Sequence, residues 1–308
     1  MKKNKRVAGV DGNEPVIKPT SDIFTAVLWS DPRNEPLLRD FLNAVLIDNQ
    51  QPPIREAKVL NPFKIKEFAF DKQLILDVLV RDETSRRYNI EVQTAPHSGF
   101  CERMLLQWAN TYSALLRTGD GYTELLPVKS VVITDFPIFP ELSNLHTVFE
   151  IQARENPRVL LTDHFQMHFL RLGDMRKRQL EGLNVLFGGL QHWLNFFTFG
   201  GTVLEDKMSQ LVENNPAVLA AYREFQRFTS DAEMQELERR RRRFLEDHRV
   251  YTAAAKAEGI AIGEAKGKAE GKAERDIEIA RNMKQAGSDF DFIAQITGLS
   301  RAEIERLD

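Results

Sequence analysis

The sequence has little that ties it to an oxidising compartment or a membrane. Its 308 residues include one cysteine, Cys101, so no disulfide can form within the chain, and a reducing, cytoplasmic setting is expected. No apolar run approaches the roughly 18 residues that a membrane-spanning helix needs. The basic start, Met1-Lys2-Lys3-Asn4-Lys5-Arg6, is not followed by the apolar stretch of a signal peptide. Charge of one sign is scarce too. The formal net charge is −3, so any surface suited to a polyanion has to be local rather than a property of the whole chain. No histidine stands at a suggestive position beside Cys101, which therefore reads as a helix-surface or core residue and not as a nucleophile.

What is present is an ordinary soluble composition, 42% hydrophobic and 28% charged, long enough for one large core plus an appendage. Residues 1–17 are polar and expected to be disordered. Ser21 or Asp22 caps an amphipathic stretch, and Pro36 to Ile47 reads as a helix with Leu37, Leu38, Phe41, Leu42 and Val45 on one face. Pro52-Pro53 ends it. A short strand over Glu56 to Leu60 precedes a hairpin over 73–93. Gly99 to Arg117 reads as a long helix with Met104, Leu105, Trp108, Tyr112 and Leu115 on one side, stopped by Gly119-Asp120-Gly121. Val128 to Thr134 is a buried-strand run, and further strands are expected within His146 to Gln152 and His164 to Leu172. The order helix, three strands, helix, strand predicts an α/β core over 18–175, with a small mixed sheet and helices on its faces.

The hairpin carries the chemistry. Leu74-Ile75-Leu76-Asp77-Val78-Leu79-Val80 and Tyr88-Asn89-Ile90-Glu91-Val92-Gln93 flank a polar turn, Arg81 to Arg87. A carboxylate in an aliphatic strand is costly unless a partner compensates it. Glu91 and Gln93 share a face by strand alternation, and Asp77 reaches that face from the neighbouring strand. Two carboxylates and an amide make an oxygen-rich pocket suited to Mg²⁺, which would acidify a water and polarise a phosphodiester. The same pattern also fits a strand-end aspartate and a solvated sheet face. His164 and His168, four residues apart in a strand-like run, share a face by alternation, but a zinc site needs a third ligand that the sequence does not offer.

The last third differs in kind. Residues 176–257 read as helical and charge-rich, with an unbroken basic run from Arg239 to Arg243. From 258 to 275 glycine recurs at every fourth residue (Gly259, Gly263, Gly267, Gly271), along one slowly drifting helical stripe. Each glycine costs about 1 kcal/mol against alanine in a helix, so the stripe implies either close approach of another backbone or a pliable linker. Residues 276–308 read as a small helix-turn-helix-like unit: a turn at Gly298, then a helix capped by Ser300 with Glu303 completing a capping box. Glu303, Glu305 and Asp308 beside Arg301 and Arg306 favour a protein-contact unit over a DNA reader.

Asp77, with Glu91-Val92-Gln93 after a β-turn, is similar to the split motif of the PD-(D/E)xK nuclease superfamily, with Gln93 where lysine is usual. Other segments resemble one branch more closely, the recombination-promoting nuclease or transposase family of bacteria. They are Asp22-Ile23-Phe24, Phe41 to Leu46, Leu60-Asn61-Pro62, Asn89-Ile90-Glu91-Val92-Gln93, Glu102-Arg103 with Trp108 and Tyr112, Gly121 to Leu125, His146 to Phe149, His168-Phe169-Leu170, the glycine repeat and Ile296 to Ser300. The ordered set spans about 18–308.

This resemblance implies a restriction-endonuclease-like fold and metal-dependent DNA cleavage in recombination, mobile elements or phage defence. Asp77 and Glu91 would be ligands for Mg²⁺, with Mn²⁺ or Ca²⁺ as alternatives. Gln93 would take the third active-site place, and Asp22 would be an auxiliary acid. Arg103, Gln107 and Tyr112 would contact phosphate or support the helix, and His97 would lie near substrate. Double-strand cleavage would need two sites, hence a homo-oligomer assembled through the C-terminal region. The competing expectation is a DNA-binding or assembly protein on a nuclease fold without catalysis.

Overall fold

The computed structural model describes residues 16–62, 77–96, 98–175, 188–203 and 205–307. Residues 1–15 of the expected disordered start, Leu74-Ile75-Leu76 of the first hairpin strand, His97, residues 176–187 and Asp308 lie outside them. Ile17, within the stretch expected to be disordered, packs against the core. The chain forms two compact units, one ending at Arg240 and one beginning at Arg241.

The first unit opens with α1 (Asp22–Ser30) and α2 (Glu35–Asp48), followed by β1 (Lys58–Val59), β2 (Val78–Arg81) and β3 (Arg87–Gln93). Then come α3 (Phe100–Ser113), β4 (Val128–Thr134), β5 (His146–Phe149) and β6 (Phe165–Arg171). The helices α4 (Gly189–Phe199), α5 (Glu205–Leu211) and α6 (Pro216–Ser230) follow, and then the start of α7 (Ala232–Gln285). The six strands form one mixed sheet in the order β1-β2-β3-β4-β6-β5. β1, β2 and β3 are antiparallel, α3 carries the chain across to β4 parallel to β3, and β6 runs parallel to β4 with β5 antiparallel at the edge. β4 and β6 are buried at every position, as central parallel strands covered on both faces must be.

Strand alternation divides the core. Val131, Ile133 and Leu170 face one side, where Ile23, Phe24, Trp29, Phe41, Trp193, Phe197 and Phe225 from α1, α2, α4 and α6 gather. Trp29 stacks on Phe41 at 5.7 Å, and the Trp193 indole donates to Asp40 Oδ1 at 2.7 Å. Each such fully buried side chain contributes roughly 1.5–3 kcal/mol. Val132, Phe165, Met167 and Phe169 face the other side, beneath Phe100, Met104 and Trp108 of α3. The Ser21 hydroxyl caps α1 by accepting from the Phe24 amide at 3.1 Å, and Ser21 also bonds Glu238 near the start of α7.

Three sequence expectations change. α3 ends at Ser113, not Arg117, because the Asp120 carboxylate accepts the Arg117 amide at 2.7 Å and holds a turn there. Leu105, expected on the buried side of α3, is 51% exposed; the buried row is Phe100, Met104 and Trp108, at fourfold spacing. β5 stops at Phe149, and Gln152 only bridges Leu160. Arg171, 1% exposed, was not singled out by sequence. Its guanidinium donates to the carbonyls of Ile138, Phe139, Leu142 and Asn144 at 2.5–2.9 Å and so gathers the loop before β5.

In the second unit, α8 (Phe290–Thr297) and α9 (Arg301–Glu305) fold back on the end of α7. Ala280, Ile293 and Ile304 are buried together, with Met283, Phe290 and Leu299 around them. Gly298 turns the chain with φ +75°, and the Ser300–Glu303 capping box is present. The Lys284 ammonium donates to the carbonyls of Glu305 and Leu307, at 2.9 and 2.6 Å. The glycine repeat lies inside the continuous helix α7, and a methyl group added at Gly259, Gly263, Gly267 or Gly271 would meet nothing within 4 Å.

Candidate active site

The site is built on the β2–β3 hairpin. Val78 pairs with Ile90 and Arg81 with Arg87, so Asp77, just before β2, stands opposite Glu91. Asp82 holds this register from the turn. Its Oδ1 accepts from the Thr84 amide and hydroxyl, both at 2.8 Å, and from the Arg86 amide at 3.0 Å, and its Oδ2 accepts from the Tyr88 hydroxyl at 3.0 Å. A slip of one residue would turn Glu91 to the opposite face. Asn61, after β1, holds the other end. Its amide nitrogen donates to the Asp77 carbonyl at 2.9 Å and its oxygen accepts from the Leu79 amide at 2.7 Å. Sequence reading noticed Asn61 only within the resemblance. Its role follows from a strand pairing that no local pattern reports.

Glu91 is 5% exposed and lies on the face covered by α3. The Gln93 amide donates to Glu91 Oε1 at 2.5 Å, and Arg103 Nη2 on α3 approaches the same oxygen at 3.5 Å. Gln107, one turn further along α3, lies close enough to help hold down the Glu91 pKa. Burial raises the Glu91 pKa to about 7, and the adjacent Asp77 charge adds to the rise; Arg103, Gln93 and Gln107 oppose it. Burial raises Asp77 as well, against the pull of its own backbone amide and of Arg103. Burial thus raises two neighbouring carboxylates, and among the described residues Arg103 is the cation that opposes the rise at both. Carboxylates raised together in this way mark a candidate functional site.

The structure brings Asp77, Glu91, Gln93, Arg103 and Gln107 together. Asp22 occupies the first turn of α1, which packs against β2 and β3, and its Oδ1 accepts from the Ile23 amide at 2.9 Å. Tyr112 is occupied elsewhere: it stacks on Trp108 at 5.0 Å and its hydroxyl bonds His164 Nδ1 at 2.9 Å, so it supports α3. His97 lies outside the described residues. Asn89 and Ser130 were not singled out by sequence. Asn89 Oδ1, Ser130 Oγ, Gln107 Oε1 and Arg103 Nε are buried without a hydrogen-bond partner around this face. The visible signal was the alternation of Asn89, Glu91 and Gln93 along one strand.

A second polar cluster, also missed, lies on the opposite face. His146 Nδ1 meets Asp48 Oδ2 at 2.6 Å, and His146 Nε2 meets His168 Nδ1 at 2.9 Å. Beside them Lys129 bonds the Gln51 amide oxygen, Gln51 donates to Gln166 at 2.7 Å, and Gln166 donates to Glu150 at 2.6 Å. Burial lowers Lys129 to about 8 and holds His168 well below the usual histidine range. His164 and His168 do not share a face: His164 precedes β6 and turns to Tyr112.

Among the described residues no three His, Cys, Asp or Glu side chains gather in a way that could hold a metal ion. The hairpin nonetheless fits a hard cation that keeps most of its waters and takes only one or two carboxylates. Asp77 and Glu91 would supply those carboxylates, and burial raises the pKa of both.

The mixed sheet and the carboxylate pair on its antiparallel hairpin define a protein of the PD-(D/E)XK nuclease class. A family model described as PD-(D/E)XK nuclease family transposase matches residues 19–255, and the chain belongs to that family. The C-terminal HTH domain of the Rpn/YhgA-like nuclease family matches residues 273–308. No curated protein and no solved structure matches the chain.

Proposed function

We propose that this protein is a Mg²⁺-dependent DNA endonuclease acting in recombination, mobile elements or phage defence in a bacterial cytoplasm. The observation that carries the reading is the pairing of half-buried Asp77 with buried Glu91 across the hairpin, both held above their ordinary pKa by burial. A nuclease of this class generally uses a divalent ion. Asp77 and Glu91 would hold it, and when bound it supplies Lewis acidity toward a water and the phosphodiester. Gln93, tied to Glu91, orients the water, and an amide does this without adding charge. Arg103 and Gln107 face the substrate side of Glu91 from α3. Asp22 is assigned an auxiliary acidic role from α1. Asp77 and Glu91 are the same pair that the sequence resemblance selects, and the family match supports the reaction class.

The HTH match favours DNA as the ligand of the C-terminal unit, against the weight of Glu303 and Glu305 in its second helix. It equally favours a reading in which the chain binds DNA without cutting it. Assembly into a homo-oligomer through the C-terminal region would bring two hairpin sites to opposite strands. The decisive assay is cleavage of supercoiled plasmid with Mg²⁺, with EDTA, and with Glu91→Ala protein. Cleavage that needs both the metal and Glu91 supports the nuclease. DNA retention without cleavage in every arm supports the binding reading.

A further inference from the structure

We infer that Arg103 is a substrate cation held in reserve: Glu91 engages it in the metal-free site, and it turns to the scissile phosphate once Glu91 is given over to a divalent ion. The inference rests on the nuclease reading and deepens it.

Three features of Arg103 carry the argument. First, its contact with Glu91 is loose. Nη2 stands 3.5 Å from Oε1, well beyond the roughly 2.7–2.9 Å of a closed guanidinium–carboxylate bond. Second, most of its five N–H donors are uncommitted: Nε is buried without a partner, and the guanidinium lies 6.0 Å from the Phe100 ring centroid. Third, its side chain is 40% exposed while Glu91's is 6% exposed, so the guanidinium sits at the open side of the pair. Among the described residues, Arg103 is the cation whose charge acts on both Asp77 and Glu91.

Charge then decides the arrangement. A divalent ion on Glu91 and a guanidinium on the same carboxylate repel each other, and the weaker contact gives way. Arg103 stands on α3 beside the site, so a rotation of its long side chain outward suffices, with no movement of the helix. A non-bridging phosphate oxygen is the natural acceptor for a planar fork of donors. Among the described residues the remaining site groups bring no positive charge of their own, since Gln93 and Gln107 are amides. Among these, Arg103 would therefore supply the side-chain charge that faces the five-coordinate phosphorus of the transition state.

The test uses full-length wild-type, Arg103→Met and Arg103→Lys proteins in two measurements. The first is Mn²⁺ affinity by calorimetry at pH 7.5 without DNA. The second is single-turnover plasmid cleavage at saturating Mg²⁺. Removing a competing cation tightens Mn²⁺ binding to Arg103→Met by roughly two- to fivefold, the scale of one partly exposed ion pair. Losing the phosphate contact slows its cleavage by about 100-fold or more. Arg103→Lys keeps wild-type Mn²⁺ affinity and recovers part of the rate, because it restores charge without the fork. A purely structural arginine would weaken metal binding and cleavage together, and that result overturns the inference. So does cleavage by Arg103→Met within about twofold of wild type. Wild-type protein that binds Mn²⁺ and cuts no DNA overturns the nuclease reading, and this inference with it.

Discussion

The sheet carries a buried polar cluster on each face, and the two are built in opposite ways. On the face of α2 the polar groups are linked to one another: Asp48 meets His146, His146 meets His168, and Lys129 is caught by Gln51 in a chain that runs on to Gln166 and Glu150, with His168 Nε2 the one buried atom of this chain left without a partner among the described residues. Beneath α3, among the described residues, two carboxylates face each other with one loosely held arginine, and polar atoms of Asn89, Ser130, Gln107 and Arg103 have no partner. A satisfied network stabilises and specifies a fold. A cluster left short of charge is poised to take a ligand.

The contrast breaks most sharply at Glu91. Glu91→Ala or Asp77→Ala should abolish plasmid cleavage, by about 1,000-fold or more, while His146→Ala leaves the rate within about twofold. Parallel cleavage assays on the three variants check this.

Stability should respond the opposite way. The folded-state pKa of Glu91 lies near 7, above the ordinary carboxylate value of 4.5, so the folded protein holds this proton more tightly than the unfolded chain does. The corresponding stability is complete below about pH 4.5 and is lost as pH rises through about 7. In EDTA at pH 8, Glu91→Gln should therefore be more stable than wild type by about 3 kcal/mol. Urea denaturation at pH 5 and pH 8 reads the difference, which should shrink to about 1 kcal/mol or less at the lower pH. His146→Ala should instead cost about 1–3 kcal/mol at either pH, because it strands Asp48 and His168.

Metal sharpens the same comparison. Saturating Mn²⁺, at about 100 times its Kd, should stabilise wild-type protein by about 2.7 kcal/mol and Glu91→Gln protein hardly at all. Its affinity should rise with pH through about 7, as Glu91 ionises. The smallest effect belongs to the C-terminal unit. Gly263→Ala adds a methyl group with nothing within 4 Å and should stabilise an isolated helix by about 1 kcal/mol. Loss of oligomer mass in sedimentation would instead identify the glycine stripe as a seam between chains.

The elements were legible where one-dimensional periodicity sufficed. The apolar row Leu37, Leu38, Phe41, Leu42 and Val45 is buried on α2, and Val128–Thr134 is a strand buried throughout. The Ser300–Glu303 box lies within four consecutive residues and was equally plain. Leu105 was misjudged because α3 meets the sheet along a narrow row at fourfold spacing, which leaves the flanking leucine outside.

By itself the sequence singled out the side chains proposed to carry the chemistry. Asp77 and Glu91 are carboxylates in strand-forming runs, and that conflict shows without any structure. Only the tertiary structure decided their surroundings. Asn61 clasps the strand at Asp77, Arg103 and Gln107 arrive from a helix beyond the hairpin, and His146 finds Asp48 and His168 from distant segments. The physical reason is range. Periodicity and propensity act over a few residues, whereas burial, charge compensation and pKa depend on groups that meet only once the sheet has closed and its faces are covered.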